Sequence, residues 1–408
     1  MQEVYRRCGG IDVHKKKITV CLKKGQKKQE VREYGTTTQD LREMVSWLKA
    51  EGCEKVAMES TGSYWKPIMN ILEQEKMPAM LVNAAHMRSV PGRKTDVNDA
   101  EWIAELLQHG LLRANFVPTR DEREYRDATR YRSSRVDERA REINRLQKIL
   151  EGANIKLTGF ISDVTGKTAM RLIELLINND SLSDEQIKGA CEKNIKAGFD
   201  EIKASLDGFV SGLQKELIRE ILNTIREQTL QIERVDNLIK EHTSVKKNKV
   251  MERLEEMPGI KRRSAEQIIA EIGIDMNRFP TAHHLCAWGG VAPANNESAG
   301  KRKPAKSRKG NKTLKKTLVQ CANAAIRNRN SFFHAQYSRL VVRLGKNKAK
   351  LAVAHSMLIA IYHVINGKIF KDLGSEYYTQ FNKEKKAKAL IKQLKRLGYE
   401  ANCPDLAA

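Results

Sequence analysis

The chain opens with short segments in which apolar and polar residues alternate, and it changes to helical spacing further along. KITVCLK at 17 to 23 puts Ile18, Val20 and Leu22 on one face with period two, which predicts a strand. CGGIDVH before it and EVREYG after it predict two more. TTTQDLREMVSWLKAEG then carries Leu41, Met44, Val45 and Leu48 at helical spacing, with Thr38 as the expected N-cap and Gly52 as the stop. KVAMES and PAMLVNA are apolar runs of strand length, separated by the helical YWKPIMNILEQE. DVNDAEWIAELLQHG closes the region with a stripe of Ala100, Ile103 and Leu107, ended by Gly110. The order β, β, β, α, β, α, β, α predicts a mixed sheet with helices on its faces, a ribonuclease-H-like arrangement.

From about 121 to 250 the pattern is almost purely helical. Arginine recurs near every helical turn (Arg120, Arg123, Arg126, Arg130, Arg135, Arg139, Arg145). Leu206, Phe209, Leu213, Leu217, Ile221, Ile225, Ile232, Val235 and Ile239 step by three and four, which predicts an antiparallel helical hairpin or coiled coil. The stretch 151–205 between these helices is less regular. Residues 251–370 form a further, mostly helical unit with a Gly-rich turn (AWGGVAP), a basic loop and an apolar helix around 349–365. The fold class expected is α/β plus α, divided as 1–120 (sheet domain), 121–250 (helical middle), 251–370 (C-terminal domain) and 371–408 (Lys-rich tail).

Composition narrows the function. Of 408 residues 40% are hydrophobic, enough to build cores, while 6% are aromatic and 30% charged, which favours long solvated helices. Lys plus Arg is 74 against 50 Asp plus Glu, a formal charge of +24 that repels itself unless a polyanion is bound. Nucleic acid fits, because neutralising phosphates releases counterions. MQEVYRRCGG has no apolar signal core, and no run approaches the roughly 18 apolar residues of a membrane span, so no membrane association is expected. The seven cysteines are scattered, with no CxxC pair and no Cys/His cluster at zinc spacing, so a reducing cytoplasm and no structural zinc are expected.

Four acids fall at special places in this order. Asp12 ends the first strand and Glu59 ends KVAMES. Asp96 and Asp99 share a face at i and i+3 on the first turn of the last helix of the sheet domain. Strand ends and a neighbouring helix start can converge, and hard oxygen ligands there suit Mg2+ or Mn2+. Two such ions about 3.5–4 Å apart can activate a nucleophile and stabilise the leaving oxygen of a phosphodiester. Taken singly each is an ordinary surface acid, and Asp96 is equally a good N-cap. As a set, in a chain of this charge, they point to catalysis. Lys15, beside Lys16 and Lys17, would help to hold a phosphate.

A second constellation is WGGVAPANNESAGKRKPAKSRKGNKTLKK. Ser298 lies in an irregular Gly- and Pro-containing loop, a place where serine is usually a turn residue. After it come nine Lys or Arg from Lys301 to Lys316 without an acid. Lys301, Arg302, Lys303, Lys306, Arg308, Lys309 and Lys312 are the candidate phosphate contacts, and a serine among such cations can be activated and its phosphate adduct stabilised. Upstream, LEEMPGIKRRSAEQIIAEIG reads either as a plain helical corner or as a helix-hairpin-helix. In the latter, the backbone around Gly259 and Lys261 would grip a DNA phosphate without reading sequence.

The stretches GIDVHKKKITVCL, AMESTGSYWKPI, LVNAAHMRSVPGRKTDVNDAEWIAELLQHGLL, LEEMPGIKRRSAEQIIAEIG and LCAWGGVAPANNESAGKRKPAKSRKGNKTLKKTLVQCA resemble the IS110 group of insertion-sequence transposases, known as bridge-RNA-guided recombinases. The resemblance implies a RuvC-like N-terminal domain whose DEDD metal site falls on Asp12, Glu59, Asp96 and Asp99. It implies a C-terminal transposase domain whose nucleophilic serine falls on Ser298. The family usually has Gly directly after this serine, where this chain has Ala299. The resemblance further implies a homo-oligomer (dimer or tetramer) on donor and target DNA, contacts through the helical middle, a centre composed from different subunits, and guidance by a noncoding bridge RNA in a prokaryotic cytoplasm. Three readings follow: a recombinase that forms a covalent phosphoserine link, a RuvC-like metal-dependent junction endonuclease without a covalent step, and a non-catalytic nucleic-acid scaffold.

Overall fold

Three strands, β1 (Arg7–Val13), β2 (Ile18–Lys24) and β3 (Gln29–Tyr34), form an antiparallel meander. Two more, β4 (Lys55–Glu59) and β5 (Ala79–Val82), join it in parallel beyond β1, giving the order β3-β2-β1-β4-β5. The computed structural model describes residues 3–25, 28–60, 62–82, 99–115, 117–192, 195–293, 297–298, 301–302, 307, 309–380 and 383–399. The chain divides into two compact units, Met1–Asp121 and Glu122–Ala408.

In the first unit, α1 (Thr38–Ala50) and α2 (Trp65–Gln74) make the parallel crossovers. The cap of α1 is Thr37, one residue before the position expected from the sequence. Asp40 decides this: its backbone N–H donates to Thr37 Oγ1 (3.3 Å) while the Thr37 N–H donates to its carboxylate (3.0 Å), a reciprocal pair that only a residue three positions after the cap can make. One sheet face, with Ile11, Ile18, Val20, Leu22, Val56 and Met58, packs on Leu41, Met44, Leu48, Ile68 and Leu72 of these helices. The other face is covered by α3 (Asp99–Gln108), through Cys8, Ala57 and Val82 against Ile103, Leu106 and Leu107. The predicted stripe of Ala100, Ile103 and Leu107 is wholly buried. Gly10 is what lets α3 sit so close. A Cβ there would lie 2.1 Å from the Ala100 carbonyl oxygen and 2.4 Å from the Ala104 nitrogen.

The second unit is helical. Its two long helices are α4 (Arg120–Gly152, beginning two residues before the unit) and, later in the chain, Gly212–Glu241. They run antiparallel: Tyr125 bonds Thr243 (3.2 Å), Arg132 bonds Asp236 (2.8 Å) and Arg139 bonds Thr229 (2.8 Å), partner numbers falling as α4 advances. The irregular stretch between them folds into four short helices, α5 (Leu157–Phe160), α6 (Lys167–Asn178), α7 (Asp184–Ala190) and α8 (Phe199–Ser205). They cap the hairpin by burying Leu172, Ile173, Ile187 and Ile202 against Leu146 and Leu150 of α4 and against Ile218, Ile221 and Leu222 of α9 (Gly212–Glu241). Here the sequence reading needs correction. Phe209, Leu213 and Leu217 are 80%, 81% and 49% exposed, because the capping helices meet the Ile218/Leu222 side of α9 instead.

The remaining core gathers α10 (Val245–Glu255), α11 (Arg262–Ile272), α12 (Ala282–Trp288), α13 (Lys312–Arg327), α14 (Phe332–Leu344) and α15 (Lys346–Ile365). Among the described residues α15 alone is long and apolar enough, by composition, to cross a membrane. Its Val353, Ala354, Met357, Leu358 and Ile361 are fully buried in this core. Two short helices follow, α16 (Tyr377–Gln380) and α17 (Lys383–Arg396).

The arginine repeat of α4 is largely bonded inside the unit. Arg126 donates to the carbonyls of Ala270 (2.9 Å) and Glu271 (2.8 Å), which closes the C-terminal end of α11. Arg130 clasps the Glu271 carboxylate, and Arg132 joins Glu266 (2.5 Å) to Asp236. These side chains hold α4 to α11.

Candidate active site

Asp12 and Glu59 occupy matching positions on neighbouring parallel strands. Ile11 pairs with Met58, and the two acids are the next residues on β1 and β4. Side chains alternate across a strand. Ile11, Val13 and Met58 face α1 and α2, so Asp12 and Glu59 share the other face, the one α3 covers. Helix α3 runs opposite to β1. The Cys8 thiol donates to the Ala104 carbonyl (3.6 Å), and Gly10 lies under Ala100 and Ala104. Moving forward along β1 to Asp12 therefore moves back along α3 towards its first residue, the exposed Asp99. Asp96 lies outside the described residues.

Asp12 is half-buried and its Oδ2 lies 3.0 Å from His14 Nε2, a partner the sequence reading did not single out although it stands in the same GIDVHK stretch. Thr19, directly opposite Asp12 on β2, is buried beside it. Among the described residues no three His, Cys, Asp or Glu side chains close around a common point. The donor chemistry nevertheless suits a hard divalent cation, since Asp12, Glu59 and Asp99 offer carboxylate oxygens at one end of one sheet face. The thiols are poor alternatives: burial pushes those of Cys8, Cys21, Cys53 and Cys286 up to about 12, which keeps them protonated. Lys15 is exposed in the β1–β2 turn.

The serine segment is more ordered than an irregular loop. Ser298 belongs to β6 (Glu297–Ser298), which pairs antiparallel with β7 (Lys301–Arg302), Ser298 opposite Lys301. Pro293 and Ser307 bridge further down the same arm. At its base a Cβ on Gly310 would lie 2.4 Å from the Gly290 nitrogen, so the two arms of the loop touch through backbone. Asn311 caps α13, its Oδ1 accepting from the Leu314 N–H (3.0 Å), and its Nδ2 donates to Glu271 (2.6 Å). Lys315 donates to the Ser307 hydroxyl (2.6 Å). Lys309 and Lys312 are exposed; Lys303, Lys306 and Arg308 lie outside the described residues.

In the turn between α10 and α11, Gly259 has φ +82° and packs on α13, where a Cβ would meet the Cys321 carbonyl oxygen at 2.3 Å. Packing alone therefore requires this glycine. Lys261, the next-but-one residue, is exposed at the start of α11. Glu271 and Asn311 gave no sequence signal, since a glutamate on an amphipathic helix reads as part of its wet face.

Two family models match the chain. Residues 9–155 match a transposase model of the DEDD IS110 type, and residues 251–338 match the model described as Transposase IS116/IS110/IS902 family. Together they span more than half of the chain. The chain belongs to the IS110 family of transposases. No curated protein matches it. The transposase is thus a DNA-transposing enzyme whose N-terminal domain is RuvC-like, in keeping with the five-stranded mixed sheet.

Proposed function

We propose that this transposase cuts and rejoins DNA strands to excise and insert a mobile element, with Asp12, Glu59, Asp96 and Asp99 holding divalent metal and Ser298 as nucleophile. The observation that carries the reading is the placement of Asp12 and Glu59 on adjacent strand ends, on the face covered by the helix that begins with Asp99. Mg2+ or Mn2+ bound there supplies charge to offset that building up on a phosphodiester under attack. The protein holds the acids in place through β1, β4 and α3, and His14 orients Asp12. At the other site the Ser298 oxygen attacks phosphorus, the sugar oxygen leaves with a proton, and a covalent phosphoserine link preserves the bond energy for rejoining. The basic arm from Lys301 to Lys312 compensates phosphate charge, with the backbone around Gly259 and Lys261 as a further grip. A homo-oligomer and a noncoding bridge RNA complete the reading: the RNA selects donor and target by base pairing, and the +24 charge accommodates several polyanions.

Strand cleavage and joining, measured on element-end DNA with Mg2+ or Mn2+ and the RNA that copurifies, tests this. Asp12→Ala and Glu59→Ala should abolish cutting while binding persists. Ser298→Ala should abolish the denaturation-resistant protein–DNA adduct. Cutting and joining that survive Ser298→Ala would leave the junction-endonuclease reading in place of the covalent one.

A further inference from the structure

A cavity opens near Asp12, on the opposite face of the sheet. It holds about 220 Å³ and lies between the β1–β2 turn and the start of α2. Its floor is apolar, from Val13, Ile18 and Ile68. Its rim is polar and aromatic: Lys15 and Ser63 stand there with Tyr64, whose side chain is 44% exposed. His14 lines the cavity and also contacts the Asp12 carboxylate, so one imidazole is a shared wall between cavity and acid.

We propose that this cavity receives the base of one unpaired DNA nucleotide next to the phosphodiester handled at Asp12. The proposal rests on the reading of Asp12 as a site of strand chemistry. A flat base needs an apolar slot with an aromatic ring at its mouth, and Val13, Ile18 and Tyr64 line this one. The nucleotide's phosphate needs a cation at the rim, and Lys15 stands there. A volume of about 220 Å³ suits one base rather than a stacked pair, so the occupant must have left the duplex. Exchange of strands creates such nucleotides beside the bond that is cut and remade. The placement agrees with the rule that α/β sheets bind ligands beyond the carboxyl ends of their parallel strands, where β1 and β4 end.

The test uses the full chain in EDTA, so that no cutting intervenes. Two short labelled probes are compared by fluorescence anisotropy, an oligothymidylate and an abasic phosphodiester of equal length. The wild type should prefer the oligothymidylate. Tyr64→Ala should weaken that probe roughly tenfold and leave the abasic probe unchanged, whereas Tyr64→Phe should behave as wild type. 4-Thiothymidine in the same probe should crosslink to the peptide that contains Tyr64. Equal binding of both probes by the wild type, or an unchanged preference in Tyr64→Ala, overturns the proposal. An RNA probe that shows the Tyr64 dependence when DNA does not would also overturn it. The acid-site reading fails separately: metal-dependent cutting untouched by Asp12→Ala would sink that reading while leaving the Tyr64 result to stand on its own.

Discussion

Arg130 of α4 clasps Glu271 of α11 with two parallel hydrogen bonds of 2.7 and 2.8 Å, and the glutamate is fully buried. The same carboxylate accepts from Asn311, which caps α13 at the foot of the serine arm. A buried charge is tolerable when its oxygens are all engaged, and it becomes costly when a partner is removed. Arg130→Ala should therefore destabilise the protein by about 2 kcal/mol, below the full buried-pair figure because Arg126 lies near and Arg130 is itself 44% exposed. Chemical denaturation measures this. Glu271→Gln, which keeps the bond to Asn311 possible, should cost less than Glu271→Ala.

Gly10 should tolerate no side chain. With the α3 backbone 2.1 Å from where a Cβ would stand, Gly10→Ala must push the helix off β1. The expected outcome is a loss of about 1–3 kcal/mol, in the range for overpacking. If the helix carries Asp99 into the metal site, metal-dependent cutting should fall further than stability does. Cleavage assayed well below the melting temperature separates the two effects.

Thiol labelling should follow burial. Cys8, Cys21, Cys53 and Cys286 are buried with thiols raised to about 12, while Cys191 is half-buried. In the native protein iodoacetamide should modify Cys191 well before those four, as read by peptide mass analysis. Rapid native labelling of Cys8 would mean that α3 does not stay on the sheet.

Stability should fall with mild acid through His355. Burial lowers the pKa of this imidazole, and the neighbouring His283, stacked at 6.3 Å, lowers it further. The folded chain thus resists a proton that the unfolded chain accepts. The contribution is complete above the usual histidine value of about 6.5 and is lost as the pH drops below it. Urea midpoints taken at about pH 7.5 and about pH 5.5 should differ by less in His355→Gln than in the wild type.

Much of the sheet domain could be read from period-two and period-3.6 patterns, because each strand and helix there has one wet side and one dry side. Ile18, Val20 and Leu22 lie on the α1/α2 face, and the order of elements matches. The predicted stripe misled at Phe209, which precedes α9, and at Leu213 and Leu217, since spacing cannot say which side of a long helix a distant cap will cover. The arginine repeat of α4 did not show what it touches: Arg126, Arg130 and Arg132 meet acids and carbonyls more than a hundred residues away, a pairing with no local trace. The positions of Asp12 and Glu59 near the ends of their strands were legible, because the apolar runs stop there. The Ser298 arm was legible as basic sequence, while its β6–β7 ribbon was hidden by strands two residues long.

β1 lies third among five strands, hydrogen-bonded on both sides, with α3 pressed on Gly10. Edge strands open first in local fluctuations and central ones last. Asp12 follows directly on the segment of β1 that is paired on both sides, so its carboxylate is anchored by the strand expected to open last, and β3 or β5 can fray without moving it.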